Sequence, residues 1–416
     1  MKSRFSIHSL TSNYALLLMV VFGGFLVFGF SENVKGPALP RMQSELGLDE
    51  MQIGLLLAFN SLGYLLACSF TAWLDRKLGL KLTTMLSFGS MALSGLFIYW
   101  ASNYTSLASA YFFMYIGNGL LEIALALLAA RIFTRNTGTM MNLAHFFYGL
   151  SSMVAPLIAA HLMGVQLFGS ELGWRGMYAL MLALAVLPML PALAAKLPNE
   201  ETVAEERIPI SSFMKDPVAW LIVLVLSFGV ISELAVGGWL VNFLEKAYGW
   251  STTASSAMLS AFFVCFTIAR LVLGPVTDRI GYTRSLILFS GFSGLCSIAA
   301  ILVGEGGAFL FAAAGVGIAP IYPTVMALLA DRYKGNSGTA ITFTVTMMGI
   351  ASVLGNFAIG AITDGIKRLF ADSSDPAGGL VAGLQAGYLF IGFCAILCSL
   401  TAYLLYRALS RQKQLI

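Results

Sequence analysis

Charge is what this chain has least of. Only 11% of its 416 residues are Asp, Glu, Lys or Arg, against about a quarter in a soluble globular domain, and 58% are hydrophobic. A fold solvated mainly by water is thereby excluded. Histidine (three) and cysteine (five) are equally sparse. Cys68, Cys265, Cys296, Cys394 and Cys398 all lie in apolar stretches, out of reach of oxidants, so free thiols are expected. Cys394 and Cys398 have helical i, i+4 spacing, but no His or carboxylate accompanies them, and packing is favoured over metal ligation. No metal and no other cofactor is expected. A G-x-S-x-G elbow and a G-x-x-x-x-G-K-[ST] phosphate loop are missing, which argues against an enzyme and against an ATP-driven pump. The net charge of +4 is scattered over short loops, with no basic aromatic surface to hold nucleic acid.

What the chain has in abundance is apolar stretches of roughly 20 residues, each long enough to cross a hydrocarbon core of about 30 Å. Twelve are expected, at 13–34, 52–73, 83–100, 106–130, 139–163, 174–195, 217–244, 252–274, 283–303, 306–330, 338–366 and 379–408. The first follows Lys2 and Arg4 as a signal peptide would, yet it lacks an Ala-x-Ala-like cleavage sequence and runs past Phe30, so it is read as a retained helix. Placing the N-terminus inside assigns 18 of the 24 Lys and Arg to the inner side and leaves Lys35, Arg41, Arg175, Lys246, Lys367 and Arg368 outside. By the positive-inside rule both termini are then cytoplasmic.

The one extended polar stretch, 196–216, contains Glu200, Glu201, Glu205, Glu206 and Arg207 and reads as a solvated linker. It divides the chain into 1–195 and 217–416, each with six spans. A repeat supports that division. Asp75-Arg76 with Gly79 and Lys81 follows span two, and Gly274-Pro-Val-Thr-Asp278-Arg279-Ile-Gly281 with Arg284 follows span eight; the two Asp are 203 positions apart. Gly117-Asn118-Gly119 in span four corresponds likewise to Gly315-Val316-Gly317 in span ten.

At these residues the chain resembles the major facilitator superfamily, whose loop signature is Gly-x-x-x-Asp-Arg-x-Gly-x-Arg/Lys. The copy from Gly274 matches through Gly281, with its basic residue Arg284 one position past the signature's place; the first has Thr71 for the glycine and one extra residue before Gly79. The resemblance implies an all-α membrane protein with twelve transmembrane helices in two pseudo-symmetric six-helix bundles. It further implies that Asp75, Arg76, Gly274, Asp278, Arg279 and Arg284 form a cytoplasmic gate whose contacts break when the halves rock. Within the superfamily the chain is similar to fucose-permease-like sugar carriers, through Gly117-Asn118-Gly119-Leu-Leu-Glu122 and Asn142-Leu-Ala-His145-Phe-Phe-Tyr148-Gly149 followed by Pro156. Sugar/proton symporters of that group carry an acid four residues before a proline in helix one, where this chain has Gly36 before Pro40, with Glu32 one turn inward.

A carboxylate at the centre of a span costs roughly 2.5–3.5 kcal/mol on the insertion scale, so it marks a cavity, a partner or a proton path. Glu122 in span four has apolar residues on either side and no neighbouring basic residue in its own helix, and it leads the candidates for proton coupling, with Glu233 in span seven and Glu32 in span one. Glu32 and Lys35 are spaced i, i+3 and either face a cavity as an ion pair or snorkel outward at the interface. Candidate substrate ligands are Asn118, Asn142, His145, Tyr148, Trp239, Lys35 and Asn356; for the amides, Asn60 included, the competing role is interhelical packing. Gly237 and Gly238 would let span seven open, and Pro320 and Pro323 interrupt span ten. Arg270 is expected to snorkel to the cytoplasm and support the Gly274 loop, without touching substrate.

These readings converge on a monomeric, multi-pass carrier in a bacterial inner membrane. It would move a small polar solute, sugar-like by resemblance, by alternating access with proton symport. The competing expectation is proton-antiport efflux of drugs or metabolites, for which 30 Phe, 19 Met and 15 Tyr could line an adaptable cavity.

Overall fold

In a computed structural model of the chain, hydrocarbon-length helices account for nearly every described residue, because a backbone out of water must satisfy its own hydrogen bonds. The backbone is described for residues 2–133, 137–167, 169–197, 210–333, 337–370 and 376–414. Within these, the side chains of residues 2–12, 72, 130, 137–139, 141–142, 210, 337–338, 376–377 and 412–414 lie outside the description. Twelve helical segments are long and apolar enough to cross a membrane, from Asn13–Leu46 to Gly378–Arg411.

The segments fall into two compact units. One holds residues 1–46 and 59–203, the other 47–58 and 204–416. The first contains α1 (Lys2–Asn33), α2 (Lys35–Leu46), most of α3 (Glu50–Leu78), α4 (Leu80–Tyr99), α5 (Tyr104–Ile132), α6 (Thr137–Met163), α7 (Gly173–Ala183) and α8 (Val186–Ala194), with a two-residue hairpin at Gln166–Leu167 and Ser170–Glu171. The second contains α9 (Ile210–Met214), α10 (Pro217–Tyr248), α11 (Thr252–Ile280), α12 (Tyr282–Val303), α13 (Phe309–Ile318), α14 (Ile321–Arg332), α15 (Ser337–Leu369) and α16 (Pro376–Gln414). The first turns of α3 also belong to it.

Span one is longer than expected. Its expected end at 34 is a break at Val34, after which the helix restarts and runs to Leu46, with Pro37 in the first turn of α2, where no N–H is needed, and Pro40 inside the helix. Lys35, counted above as an outer-loop residue, is instead buried inside the helical span at 6% exposure. The polar stretch 196–216 is also only partly a free linker. Its Glu200, Glu201, Glu205, Glu206 and Arg207 lie outside the described residues, whereas 210–214 is helical and Phe213 is buried. Asp216 caps α10 by accepting from the Val218 N–H at 2.8 Å.

Paired glycines place the central helix of each unit. Two positions along a helix are about 200° apart, so Gly117 and Gly119 face different neighbours. A Cβ on Gly117 would lie 2.7 Å from Ser90 Oγ of α4, and one on Gly119 2.8 Å from the Tyr64 carbonyl of α3. In the second unit Gly317 meets the Phe289 carbonyl of α12 at 2.3 Å and Gly315 the Phe262 carbonyl of α11 at 2.6 Å. The packing repeats, with the order of the two glycines exchanged.

The two Asp-Arg loops share a backbone as well. Gly79 (φ 82°, ψ 155°) and Gly281 (φ 89°, ψ 150°) adopt one conformation that only glycine takes readily. Gly79 N–H donates to the Asp75 carbonyl at 2.7 Å, and Gly281 N–H donates to the Thr277 carbonyl at 2.9 Å. Asp75 therefore occupies the place of Thr277. Asp278 falls one residue, about 100°, further round its helix.

Candidate functional site

In the first unit the break at Val34 aims Glu32 and Lys35 at α5. Lys35 donates to Glu32 and, at 3.1 Å, to the Tyr115 hydroxyl, which in turn donates to Glu32 Oε1 at 3.4 Å. With both members largely buried, the pair is turned into the unit and does not snorkel outward. Around it α1 is laced to its neighbours. Ser31 donates to Asn118 Oδ1 at 2.9 Å and Asn33 to Ser152 Oγ at 2.8 Å. Asn118 has no exposed surface, and through the Ser31 bond it ties α5 to α1, while its amide nitrogen has no partner among the described residues.

Glu122 is held from a different helix. Because Gly119 has no side chain, Tyr64 of α3 comes close enough for its hydroxyl to donate to Glu122 Oε2. No ion pair engages Glu122 among the described residues. The Tyr148 ring lies tilted against Phe28 at 5.2 Å, and the ring of exposed His145 tilted against Phe25 at 5.0 Å. The side chain of Asn142 lies outside the described residues.

In the second unit the same combination of acid and base arises across three helices. Pro323 has no N–H, so the Ala319 carbonyl four residues earlier is left without its helical donor. Arg270 of α11 supplies one through Nε at 3.1 Å. The same guanidinium lies 4.2 Å from the Phe266 ring and reaches Glu233 of α10 at 3.5 Å. Arg270 therefore turns into the unit and does not extend toward the Gly274 loop, contrary to the expectation of a snorkelling side chain.

Three other expectations change. The helix α10 is continuous through Gly237 and Gly238, and the second of these makes room for Leu57, which a Cβ would meet at 3.1 Å. Trp239 is 2% exposed, its indole N–H has no partner among the described residues, and with Phe243, Thr363 and Tyr388 it lines a small cavity of about 10 Å³, the size of one water. Asn356 donates back to the Ser352 carbonyl of its own helix at 3.2 Å.

At the loop ends the two copies of the motif diverge. Asp75 is buried and accepts from Arg131 of α5 at 2.5 Å, while Arg76 is exposed. Asp278 and Arg279 are exposed, and Asp278 takes no ion-pair partner among the described residues. Arg284 lies 5.7 Å from the Tyr406 ring. Gly274 makes no close approach, since a Cβ there would meet nothing within 4 Å. The shared gate role expected for Asp75 and Asp278 is thus not matched by shared surroundings.

Acids at membrane depth, each with a partner from another helix or turn, and loops repeated in backbone are accompanied by a direct match. The Major Facilitator Superfamily model matches residues 21–356 and 235–415. The chain belongs to the major facilitator superfamily. A relative in the superfamily, the TsgA homolog of Erwinia tasmaniensis, is 22% identical over 358 residues, 84% of this chain and 88% of that protein. By structure, a bacterial homolog of the human lysosomal transporter Spinster, inward-facing and unoccupied, matches with a TM-score of 0.80 at 14% identity, over 95% of this chain and 97% of that one. The Escherichia coli fucose:proton symporter matches with a TM-score of 0.63 at 18% identity, over 94% and 99%. The expected family and twelve-span all-α fold stand, and the chain is a multi-pass membrane transporter, not an enzyme.

Tyr64, Tyr115 and Arg270 are the partners that sequence reasoning missed or misassigned. Gly119, one turn before Glu122, signals that something approaches there, but nothing in the local sequence says that it is Tyr64.

Proposed function

We propose that this protein is a proton-coupled symporter that imports a small polar, sugar-like solute by alternating access. It works as a monomer in a bacterial inner membrane with both termini cytoplasmic, and the six-span halves 1–195 and 217–416 are its moving parts, joined through 196–216. The observation that carries this reading is Glu122: a carboxyl at membrane depth, engaged by the Tyr64 hydroxyl and by no cation among the described residues. Such a group is tolerated when a proton or water neutralises or solvates it, which fits it to take a proton on one side and release it on the other. Glu32 and Glu233 already have the counter-ions Lys35 and Arg270, so a proton there is taken up only together with cargo, whereas Glu122 is open to free proton carriage. The exposed His145 ring and the half-buried Tyr148 hydroxyl of α6 supply polar groups for a polyol. A fold neighbour named as a fucose:proton symporter supports a sugar-like cargo.

Purified protein in proteoliposomes, given an inward proton gradient and a panel of labelled sugars, polyols and sugar acids, tests the reading. Accumulation above the external concentration that collapses with a protonophore is the expected result. Extrusion driven by the opposite gradient would instead establish efflux by antiport.

A further inference from the structure

Arg270 carries a permanent charge into an apolar span, where it costs roughly 2.5–3.5 kcal/mol on the insertion scale. It is held there deliberately. Its Nε is fixed to the carbonyl freed by Pro323, and its flat face lies against Phe266, so the guanidinium cannot swing away. What remains open is its far edge. The contact with Glu233 is a single one at 3.5 Å, whereas a paired arginine and carboxylate form two parallel bonds at about 2.7–2.9 Å. The pair is also accessible, with 29% of the Arg270 side chain and 17% of the Glu233 side chain exposed. A charge at this depth that keeps accessible, unused donors has the character of a binding group and not of a packing contact.

We propose that Arg270 is the cargo's anion-binding residue, that the cargo is a small polar solute with a carboxylate such as a sugar acid or hydroxy acid, and that Glu233 holds its place when the site is empty. This deepens the proton-coupled reading above and rests on it.

Charge balance decides between a neutral and an anionic cargo. With the site empty, Glu233 compensates Arg270. When a proton from water adds to the Glu233 carboxylate, the guanidinium is left without a counter-ion in apolar surroundings, a state that costs several kcal/mol. A neutral sugar cannot relieve it. A carboxylate can, by taking the Nη edge that Glu233 has given up, so proton and anion enter together as a neutral pair. On release the anion leaves, the proton returns to water, and the contact between Glu233 and Arg270 re-forms.

Among the described residues, Arg270 is the one charged group that acts on Glu233, and the remaining ion pairs of the helices packed on α10 lie away from mid-helix, Asp216 with Arg332 and Lys246 with Glu50 at its ends and Asp364 with Arg368 on α15. Of the titratable groups on α16, Tyr388 faces Phe243 and Cys398 faces the Val225 carbonyl.

The test is equilibrium binding to the full-length protein in detergent at pH 6 and pH 8. The probes are D-gluconate and D-glucuronate against D-glucose, D-xylose and L-fucose. The acids are expected to bind about tenfold tighter at pH 6 than at pH 8, since only the protonated site is competent. Glu233→Gln should hold the low-pH affinity at both pH values. Arg270→Lys, which keeps the charge and a donor for Ala319, should lose at least about tenfold because it cannot present a planar fork. Neutral sugars binding as tightly as the acids, an Arg270→Lys variant with unchanged affinity, or no binding of either acid would each overturn the anion site. Proton-driven accumulation of a neutral sugar would then leave the symporter reading intact. Absence of any proton-driven transport by the wild-type protein would defeat that reading itself.

Discussion

Glu50 Oε1 lies 2.8 Å from Lys246 Nζ, joining the first turn of α3 to the last turn of α10 across 196 positions of sequence. Asn242 adds a bond to the other carboxylate oxygen at 3.3 Å, and one turn along α3 the backbone of Gly54 packs on Gly360 of α15 so closely that a Cβ would come within 2.7 Å. Glu50 is 1% exposed. These contacts explain why residues 47–58 belong to the second unit while the rest of α3 belongs to the first.

Removing one member of such a pair leaves a buried charge uncompensated, a loss of about 3 kcal/mol. Lys246→Met should therefore lower the apparent melting temperature in detergent clearly, and the double variant Glu50→Gln with Lys246→Met should recover much of it. Equal melting of Lys246→Met and wild type would show that the pair contributes nothing.

The shifted register of the two Asp-Arg loops makes a second, asymmetric prediction. Asp75→Asn breaks a buried pair with Arg131 and should destabilise the first unit by about 2–3 kcal/mol, slowing transport with it. Asp278→Asn touches an exposed side chain and should change stability by no more than about 0.5 kcal/mol. Thermal unfolding of the two variants side by side checks this. Equal losses would mean that the two loops act alike despite their different surroundings.

A third prediction concerns pH. Burial alone would push the Asp216 carboxyl up, but the Tyr333 hydroxyl at 2.7 Å, the Val218 N–H and the Arg332 guanidinium together hold it below its ordinary value. Burial and the bond to Asp216 push the Tyr333 hydroxyl up to about 12, so it remains a donor throughout the neutral range. A carboxyl lowered on folding stabilises the fold above its unfolded value, and that contribution disappears as pH falls through the folded one. Asp216→Ala should cost about 1 kcal/mol at pH 7, as a lost N-cap does, with the difference from wild type shrinking below about pH 4. A difference that stayed constant from pH 7 to pH 3 would contradict this.

What could be read from sequence follows the range of the forces involved. The spans were legible because hydrocarbon imposes a length and a composition on every crossing helix, and the repeat was legible because Gly79 and Gly281 must be glycine to adopt their φ. Lys35 was misplaced because the expected end of span one, at 34, is only a break at Val34, after which the helix restarts and runs on through Pro37 and Pro40. The extra residue before Gly79 was visible, yet its consequence, a rotation that buries Asp75 and exposes Asp278, belongs to helix geometry. The direction of Arg270 was hidden for a related reason. It depends on a carbonyl freed by a proline in another helix, 49 positions from the arginine. Tyr64 and Tyr115 reach their glutamates over 58 and 83 positions, and no local pattern encodes such pairings.

The role of Glu122 is decided by separating exchange from concentration. In proteoliposomes, Glu122→Gln should still exchange labelled for unlabelled cargo across the membrane but should no longer accumulate it against a gradient when the inside is made alkaline. Uphill accumulation by Glu122→Gln at the wild-type level would show that the proton travels by another route.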